Sequence, residues 1–428
     1  MPTVESREDT NMRSVGKPDI SDGPLTGVKV LDFTSVVMGP VATQCLADYG
    51  ADVIKIEGPE GDLLRSMGGA SRSGQLSPKF IQMNRSKRSL AIDLKTQRGR
   101  DVVHKMMETA DVVVVNMRSS ALTKLGLTWN DVRTINPNIV HCWVMGFGRD
   151  GRYFDKPAYD TIIQGSAGVS ACFGRRSGGP EFVPLVLADH LVGLIAVQMI
   201  LLGLRARDLT GEGQSVEVPM FENVASFVLR EHFGQKTFEP ARGEAGDARI
   251  LDASARPAKT KDGYICVSAN TDRQVHAFFR AVGRPELVTD PKFATVAARL
   301  ENVSAYFRIR SDALATKTNA EWMALFDPMD IPAIPFNTLD ELLDDPHLDD
   351  VGLFQSLEYV QEGWVKHMRP ANKFTGGQRN QPTPAPTRGE HSVELLQDLG
   401  LSGEEISRLV DADVVLTGTH EGHKREVS

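Results

Sequence analysis

Several common chemistries leave marks that this chain lacks. It has four cysteines in 428 residues, Cys45, Cys142, Cys172 and Cys266, with no C-x-x-C spacing. That excludes a disulfide framework or a cysteine zinc site, and it fits reduced, mostly buried thiols of a cytoplasmic protein. Its histidines are scattered without ligand spacing, so neither a metal nor a redox cofactor is implied. The first strand-to-helix turn, "DFTSVVMGP", contains Gly39 but no G-x-G-x-x-G. Without those glycines the backbone cannot lie against a pyrophosphate, which argues against nicotinamide or flavin chemistry. Excess positive charge is also missing. The net charge is −8, which argues against nucleic acid as the main partner. The longest apolar run, Leu191 to Leu204, is short for a membrane span and carries Gly193 and Gln198, so it reads as a buried core helix. Residues 1–24 are polar, lack the apolar segment of a secretory signal and read as a flexible tail; so do residues 416–428.

What remains is an ordinary globular composition, 41% hydrophobic and 24% charged, long enough for two or three domains. Short β-rich runs alternate with segments of helical spacing. "GVKVLDF", "ADVIKIE", "RSLAIDLK", "DVVVVNM" and "NPNIVHCWVMGFG" read as strands, with "GPVATQCLADYG" and "GRDVVHKMMETA" as helices between them. Nearly continuous apolar strands in β-α-β order predict a parallel sheet covered on both faces. Ligands of such sheets bind beyond the carboxyl ends of the strands. That puts "TSVVMGP", Glu57 and "VNM" on the expected functional rim. The boundaries expected are a large domain over residues 25–205, a linker over 206–249, a small domain over 250–340, and a return linker with C-terminal helices over 341–415. In the small domain, "AKTKDGYICVSAN" reads as a hairpin turning at Asp262-Gly263, and Thr271 or Asp272 as the cap of a helix.

Three features carry possible chemistry. Glu57 stands 25 positions after Asp32, near where a ribose-binding acid sits in β-α-β units. "NRSKRSLAIDLK" gathers Arg85, Lys87, Arg88 and Lys95, which is either a phosphate-binding patch or a solvated basic loop. Asp189 lies in "EFVPLVLADHLVGLIAVQMILLGL", an acid inside a core-building run. It can cap a helix starting near His190, or it can be a carboxylate kept ionised by a helix N-terminus and able to attack an activated acyl carbon. Local sequence leaves both open.

The ordered blocks "GPLTGVKVLDFTSVVMGPVATQCLADYGADVIKIE", "NRSKRSLAIDLKTQRGR", "ADVVVVNMRSSALTKLGL", "KPAYDTIIQGSAG", "LADHLVGL" and "TGEGQSVEVPMFE" resemble those of class III CoA-transferases. This is the family of formyl-CoA, L-carnitine and bile-acid CoA-transferases, and it includes α-methylacyl-CoA racemase. The resemblance runs from about residue 24 to 415. It implies an α/β fold with a Rossmann-like large domain, a smaller α+β domain and an interlocked homodimer. It implies an enzyme that moves CoA from an acyl-CoA to a free carboxylic acid, with coenzyme A as substrate and no other cofactor, nucleic acid or membrane. Asp189 matches the family's catalytic aspartate. Ser35, Val36, Val37, Met38, Ile92, Lys95, Asn116, Met117, Lys124 and Lys156 match CoA-contact positions. Gly58 stands where some members have an arginine, for which Arg65 or Arg72 would have to substitute, and "ARGEAGDA" (241–248) is the candidate covering loop. The racemase branch needs a histidine where Tyr159 stands in "PAYD", and tyrosine, with a pKa near 10, is a poor proton shuttle at neutral pH. The remaining alternative is a CoA-binding protein without activity.

Overall fold

The computed structural model describes residues 22–69, 71–375, 377 and 382–418. Most of the N-terminal tail and the last ten residues of the C-terminal tail lie outside them. The large unit is built on β1 (Lys29–Asp32), β2 (Asp52–Glu57), β3 (Lys87–Ile92), β4 (Val112–Val115), β5 (Val140–Met145) and β6 (Gln214–Pro219). They form a parallel sheet in the order β3-β2-β1-β4-β5-β6, the order of doubly wound sheets, whose switch point lies between β1 and β4. The four valines of β4 are all fully buried. Each contributes on the order of 1.5–3 kcal/mol of burial, which explains the unbroken apolar run in the sequence.

The sheet extends past residue 205, the end expected for the large domain. β6 pairs with β5 from Gln214 to Pro219, and Met220 and Val224 of the following helix, Met220–His232, join the same core. The long helix Leu187–Thr210 packs on this face against the first helix, Met38–Asp48, and against β5 and β6. It is buried on one side only. Val192, Ala196, Ile200 and Leu204 face the core, while Leu194, Leu202 and Leu209 stay exposed. The apolar run is therefore a core helix on one face and an uncovered apolar stripe on the other.

The second unit has its own core around Phe278, Phe279, Trp322 and Phe326. Its sheet consists of β7 (Ala258–Lys259), β8 (Tyr264–Val267) and β9 (Ala333–Pro335), all antiparallel. Thr271 caps the helix Asp272–Ala281 through a capping box with Gln274. The chain returns through a hairpin that the sequence reading missed, β10 (Phe354–Tyr359) and β11 (Gly363–Met368). Tyr359 anchors it to the large unit, its Oη accepting from Ala385 N–H at 2.9 Å. The helices Ser392–Asp398 and Gly403–Asp411 pack beneath β3, and β12 (Val415–Leu416) closes the sheet edge antiparallel to β3. All four cysteines are free, but only Cys142 is buried and Cys266 is exposed, so the expectation of mostly buried thiols fails.

Candidate active site

β1 ends in a turn that its own residues disfavour. Val36 adopts φ 70°, a left-handed conformation that costs a β-branched residue on the order of 1–3 kcal/mol. Its surroundings hold it there. Val36 N–H donates to Asp62 Oδ1 at 3.0 Å, and the other Asp62 oxygen pairs with Lys55 Nζ at 2.8 Å. Lys55 Nζ also donates to the Thr34 carbonyl at 2.9 Å. From the β4 side, Asn116 Oδ1 accepts from Ser35 N–H at 3.2 Å, and Asn116 Nδ2 donates to the Ser35 carbonyl at 2.9 Å. Below the turn, buried Asp32 accepts from Thr34 N–H at 2.9 Å, Thr43 Oγ1 at 2.6 Å and Lys87 Nζ at 3.1 Å. Burial alone would raise the Asp32 carboxyl, but the Lys87 and Lys55 ammonium groups and the threonine hydroxyls outweigh it and hold it at about 2. A fully buried charge is tolerable here because it is paired and hydrogen-bonded.

Asp189 reaches the same place from the other side of the fold. Its helix starts at Leu187, with Val186 at the cap position and no side-chain cap of its own. The cap comes from Asp160, whose Oδ1 accepts from Ala188 N–H at 2.7 Å and from Asp189 N–H at 3.4 Å. Gln164 Nε2 holds the other Asp160 oxygen at 2.6 Å. The capping reading of Asp189 is thus corrected: another carboxylate does that work, and Asp189 falls in the first turn, where its own oxygens accept no hydrogen bond among the described residues. The expectation that the helix end keeps it ionised is corrected too. Burial, with the Asp160 charge adding to it, pushes the Asp189 carboxyl up to about 7. Desolvation outweighs the helix dipole, whose effect is on the order of 0.3–2 kcal/mol.

The two sides meet in a cleft of about 230 Å³. Ser35, Val36, Val37, Met38, Asn116, Met117 and Lys156 line it together with Asp189. Gly193 allows the approach, since a Cβ there would lie 2.7 Å from the Met38 carbonyl oxygen. The structure does not bring the other three positions to this cleft. Ile92 is fully buried in the core below the sheet. Lys95 and Lys124 are exposed and outside the lining. The cleft also takes in Tyr159, which the sequence reading set at the racemase histidine's position, and Trp143, Met145 and Met220, which it did not place at the site. Their one common signal is position, next to strand ends or at the start of a helix. Trp143 is fixed by donating its Nε1–H to the Met117 carbonyl at 2.9 Å.

Three of the four cations of the basic stretch belong neither to a phosphate patch nor to a solvated loop; only Lys95 is exposed. Arg85 and Lys87 are buried against Asp48 and Asp32, and Arg88 bridges Asp52, Glu394 and Asp398. Glu57 is not free for a ribose. Arg65 holds both its oxygens, at 2.8 and 2.6 Å. That pairing removes Arg65 as a nucleotide contact, while Arg72 lies outside the cleft lining. The 241–248 loop is also absent from the cleft. It is tied to the helices beside it, Arg175 donating to the Ala245 carbonyl at 2.6 Å and Asp247 N–H to His232 Nδ1 at 3.2 Å. Among the described residues no group of three or more His, Cys, Asp or Glu side chains is placed to hold a metal ion.

A doubly wound sheet with a carboxylate, a strained backbone turn and a lysine near its switch point is where an α/β fold places a ligand site. Comparison with known proteins narrows this. The model of CoA-transferase family III matches residues 25–392, and the chain belongs to that family. It is 31% identical over 422 residues to an acyl-CoA transferase of Fusarium pseudograminearum, covering 96% of this chain and 92% of that one. It is 30% identical over 409 residues to the human succinyl-CoA:glutarate CoA-transferase, covering 94% and 91%. With the formyl-CoA:oxalate CoA-transferase of Streptomyces avermitilis it shares 31% over 417 residues, covering 91% and 99%. Among solved structures, a CAIB/BAIF family protein from Brucella suis superposes with a TM-score of 0.75 at 29% identity, covering 88% of this chain and all of that one. The chain is a class III CoA-transferase enzyme.

Proposed function

We propose that this enzyme moves CoA from an acyl-CoA thioester to a free carboxylic acid through covalent intermediates on Asp189. One observation carries the reading: Asp189, whose carboxylate oxygens accept no hydrogen bond among the described residues, shares a single cleft with the β1 turn and Lys156. An Asp189 oxygen attacks the thioester carbon, the C–S bond breaks, and an aspartyl anhydride and CoA thiolate result. The thiolate attacks the Asp189 carbonyl, giving aspartyl-CoA thioester and the freed donor acid. The acceptor carboxylate attacks that thioester, forming a second anhydride and releasing thiolate. The thiolate then attacks the acceptor's acyl carbon, and Asp189 leaves as carboxylate. Each step exchanges one activated acyl bond for another, so none of the barriers is that of a single direct exchange. The same poorly hydrated surroundings that push the Asp189 carboxyl up keep water from the anhydrides.

In this reading the CoA arm runs along Ser35–Met38, Asn116 and Met117, and Lys156 faces its anionic groups. Asn116 supports it as a clamp on Ser35 more than as a free donor, since both ends of its amide are engaged. The enzyme acts as a homodimer, interlocked as the family resemblance implies, with the uncovered leucines of the long helix at the contact. Four free cysteines fit a cytoplasmic setting. A panel of acyl-CoA donors and carboxylate acceptors read by mass spectrometry tests the reading: exchange requires both partners and disappears in Asp189→Ala. The racemase reading would need a histidine where Tyr159 lines the same cleft, and tyrosine is a poor proton shuttle at neutral pH. Rapid α-deuterium uptake from D₂O without an acceptor acid would establish it and overturn ours.

A further inference from the structure

A cavity of about 890 Å³, lined mainly by the second unit and by Arg176 of the helix Val169–Ser177, shares no lining residue with the Asp189 cleft. This is the size range of small-molecule sites, about 300–1,000 Å³. Five arginines reach its wall, Arg176, Arg249, Arg256, Arg299 and Arg310, and no aspartate or glutamate does. Arg299 is neutralised by Asp272 at 2.7 Å, and Arg176 donates to the Ala255 carbonyl. Arg249, Arg256 and Arg310 have no carboxylate partner among the described residues. Arg310 is the most constrained. It donates to the Val267 carbonyl at 3.0 Å and its guanidinium lies 4.4 Å from the Phe307 ring centre. Its Nε–H is buried with no acceptor, an arrangement that folded proteins avoid unless a ligand or ion completes it. Most of the rest of the wall is apolar, with Ile250, Leu300 and Ile334 exposed among its residues and Ser268, Asn270 and Tyr306 as its neutral polar members.

We propose that this cavity binds an organic acid with an apolar body. Its carboxylate meets Arg310, supported by Arg249 and Arg256, and its hydrocarbon part lies on Ile250, Leu300 and Ile334. A planar guanidinium matches a carboxylate edge with two parallel hydrogen bonds, which gives the site its charge selectivity. The inference deepens the CoA-transfer reading, in which free carboxylic acids are substrates, but binding here does not need Asp189.

Cys266 supplies a reporter, since it lines the cavity and is exposed. The test uses the full chain in its native oligomer, with octanoate as probe and 1-octanol as the neutral control of equal length. Calorimetry is expected to show octanoate binding that weakens about tenfold or more in Arg310→Gln and in the Arg249→Gln/Arg256→Gln double variant, and that persists in Asp189→Ala. Octanoate, but not octanol, is expected to slow iodoacetamide labelling of Cys266. The double variant changes only exposed side chains, so it keeps the test informative if Arg310→Gln does not fold. Octanoate binding that is absent, matched by octanol or indifferent to the arginines would overturn the proposal. So would a Cys266 already shielded in the native protein, because a second copy of the chain would then fill the cavity. Wild-type protein that binds octanoate here yet exchanges no CoA would instead remove the transferase reading and leave this site standing.

Discussion

Asp160 caps the long helix, which frees Asp189 for the role proposed for it. Asp160 spends both oxygens on hydrogen bonds, two of them to the start of the long helix. Asp189 leaves its carboxylate oxygens without a hydrogen bond among the described residues, as the proposed nucleophile requires, and burial together with the Asp160 charge raises it to about 7. Only the ionised form attacks a thioester, so kcat/KM for acyl-CoA is expected to rise with pH along a limb centred near 7. Asp160→Asn keeps an acceptor for Ala188 N–H and removes the neighbouring charge, so that limb is expected to move to lower pH; a limb that stays put would remove Asp160 from the account. The same shift also predicts stability. A carboxyl raised from 3.8 to about 7 favours the folded state while protonated, and that contribution is lost as pH rises through 7. Asp189→Asn escapes this loss. In paired thermal melts the variant is expected to gain on the wild type between pH 5 and pH 8, by about 2–4 kcal/mol at most. A constant difference across that range would mean that Asp189 is not buried as described.

At the scale of elements, the cleft depends on two close fits. Val36 is held in its disfavoured conformation by Asp62 and Lys55. Asp62→Asn turns the contact with Lys55 from attraction to repulsion. It is expected to weaken CoA binding by at least about tenfold while leaving the pH limb of Asp189 in place. CoA affinity equal to wild type would show that the turn does not position the ligand. Gly193 is the second fit. Gly193→Val drives a side chain into the Met38 carbonyl and Val41, and urea unfolding is expected to show a loss of about 1–3 kcal/mol. The sheet was legible in the sequence because parallel strands buried on both faces leave unbroken runs such as "VVVV", and the helices between them keep a 3.6-residue period. The hairpin Phe354–Met368 was not, because its strands are only partly buried and lack that signal. Asp189 was legible as an oddity of composition, and the β1 turn as a strand end. The partners of the charged residues were not. Arg85, Lys87 and Arg65 look like surface or ligand-binding cations until the fold brings Asp48, Asp32 and Glu57 to them, and such pairings across layers leave no trace in local spacing.

The whole molecule leaves an apolar surface that a single chain does not explain. Leu202 is 60% and Leu209 67% exposed on the long helix, and Phe227 is 54% exposed on the next one. Large apolar side chains left exposed on two neighbouring helices point to a protein contact. Sedimentation at micromolar concentration is expected to return twice the chain mass, and Leu202→Lys with Leu209→Lys to shift it toward one; a monomeric wild type would remove the dimer from the account. In the proposed account recognition is divided between a strained turn with Asp189 at the large sheet and an arginine-walled cavity lined mainly by the second unit.

The central claim concerns a bond to one side chain, and it can be observed directly. Enzyme mixed with an acyl-CoA, quenched rapidly and digested is expected to yield a CoA adduct on the peptide containing Asp189, removable by hydroxylamine and absent from Asp189→Asn. CoA exchange that continues undiminished in Asp189→Ala, or an adduct that maps to another residue, would contradict the account.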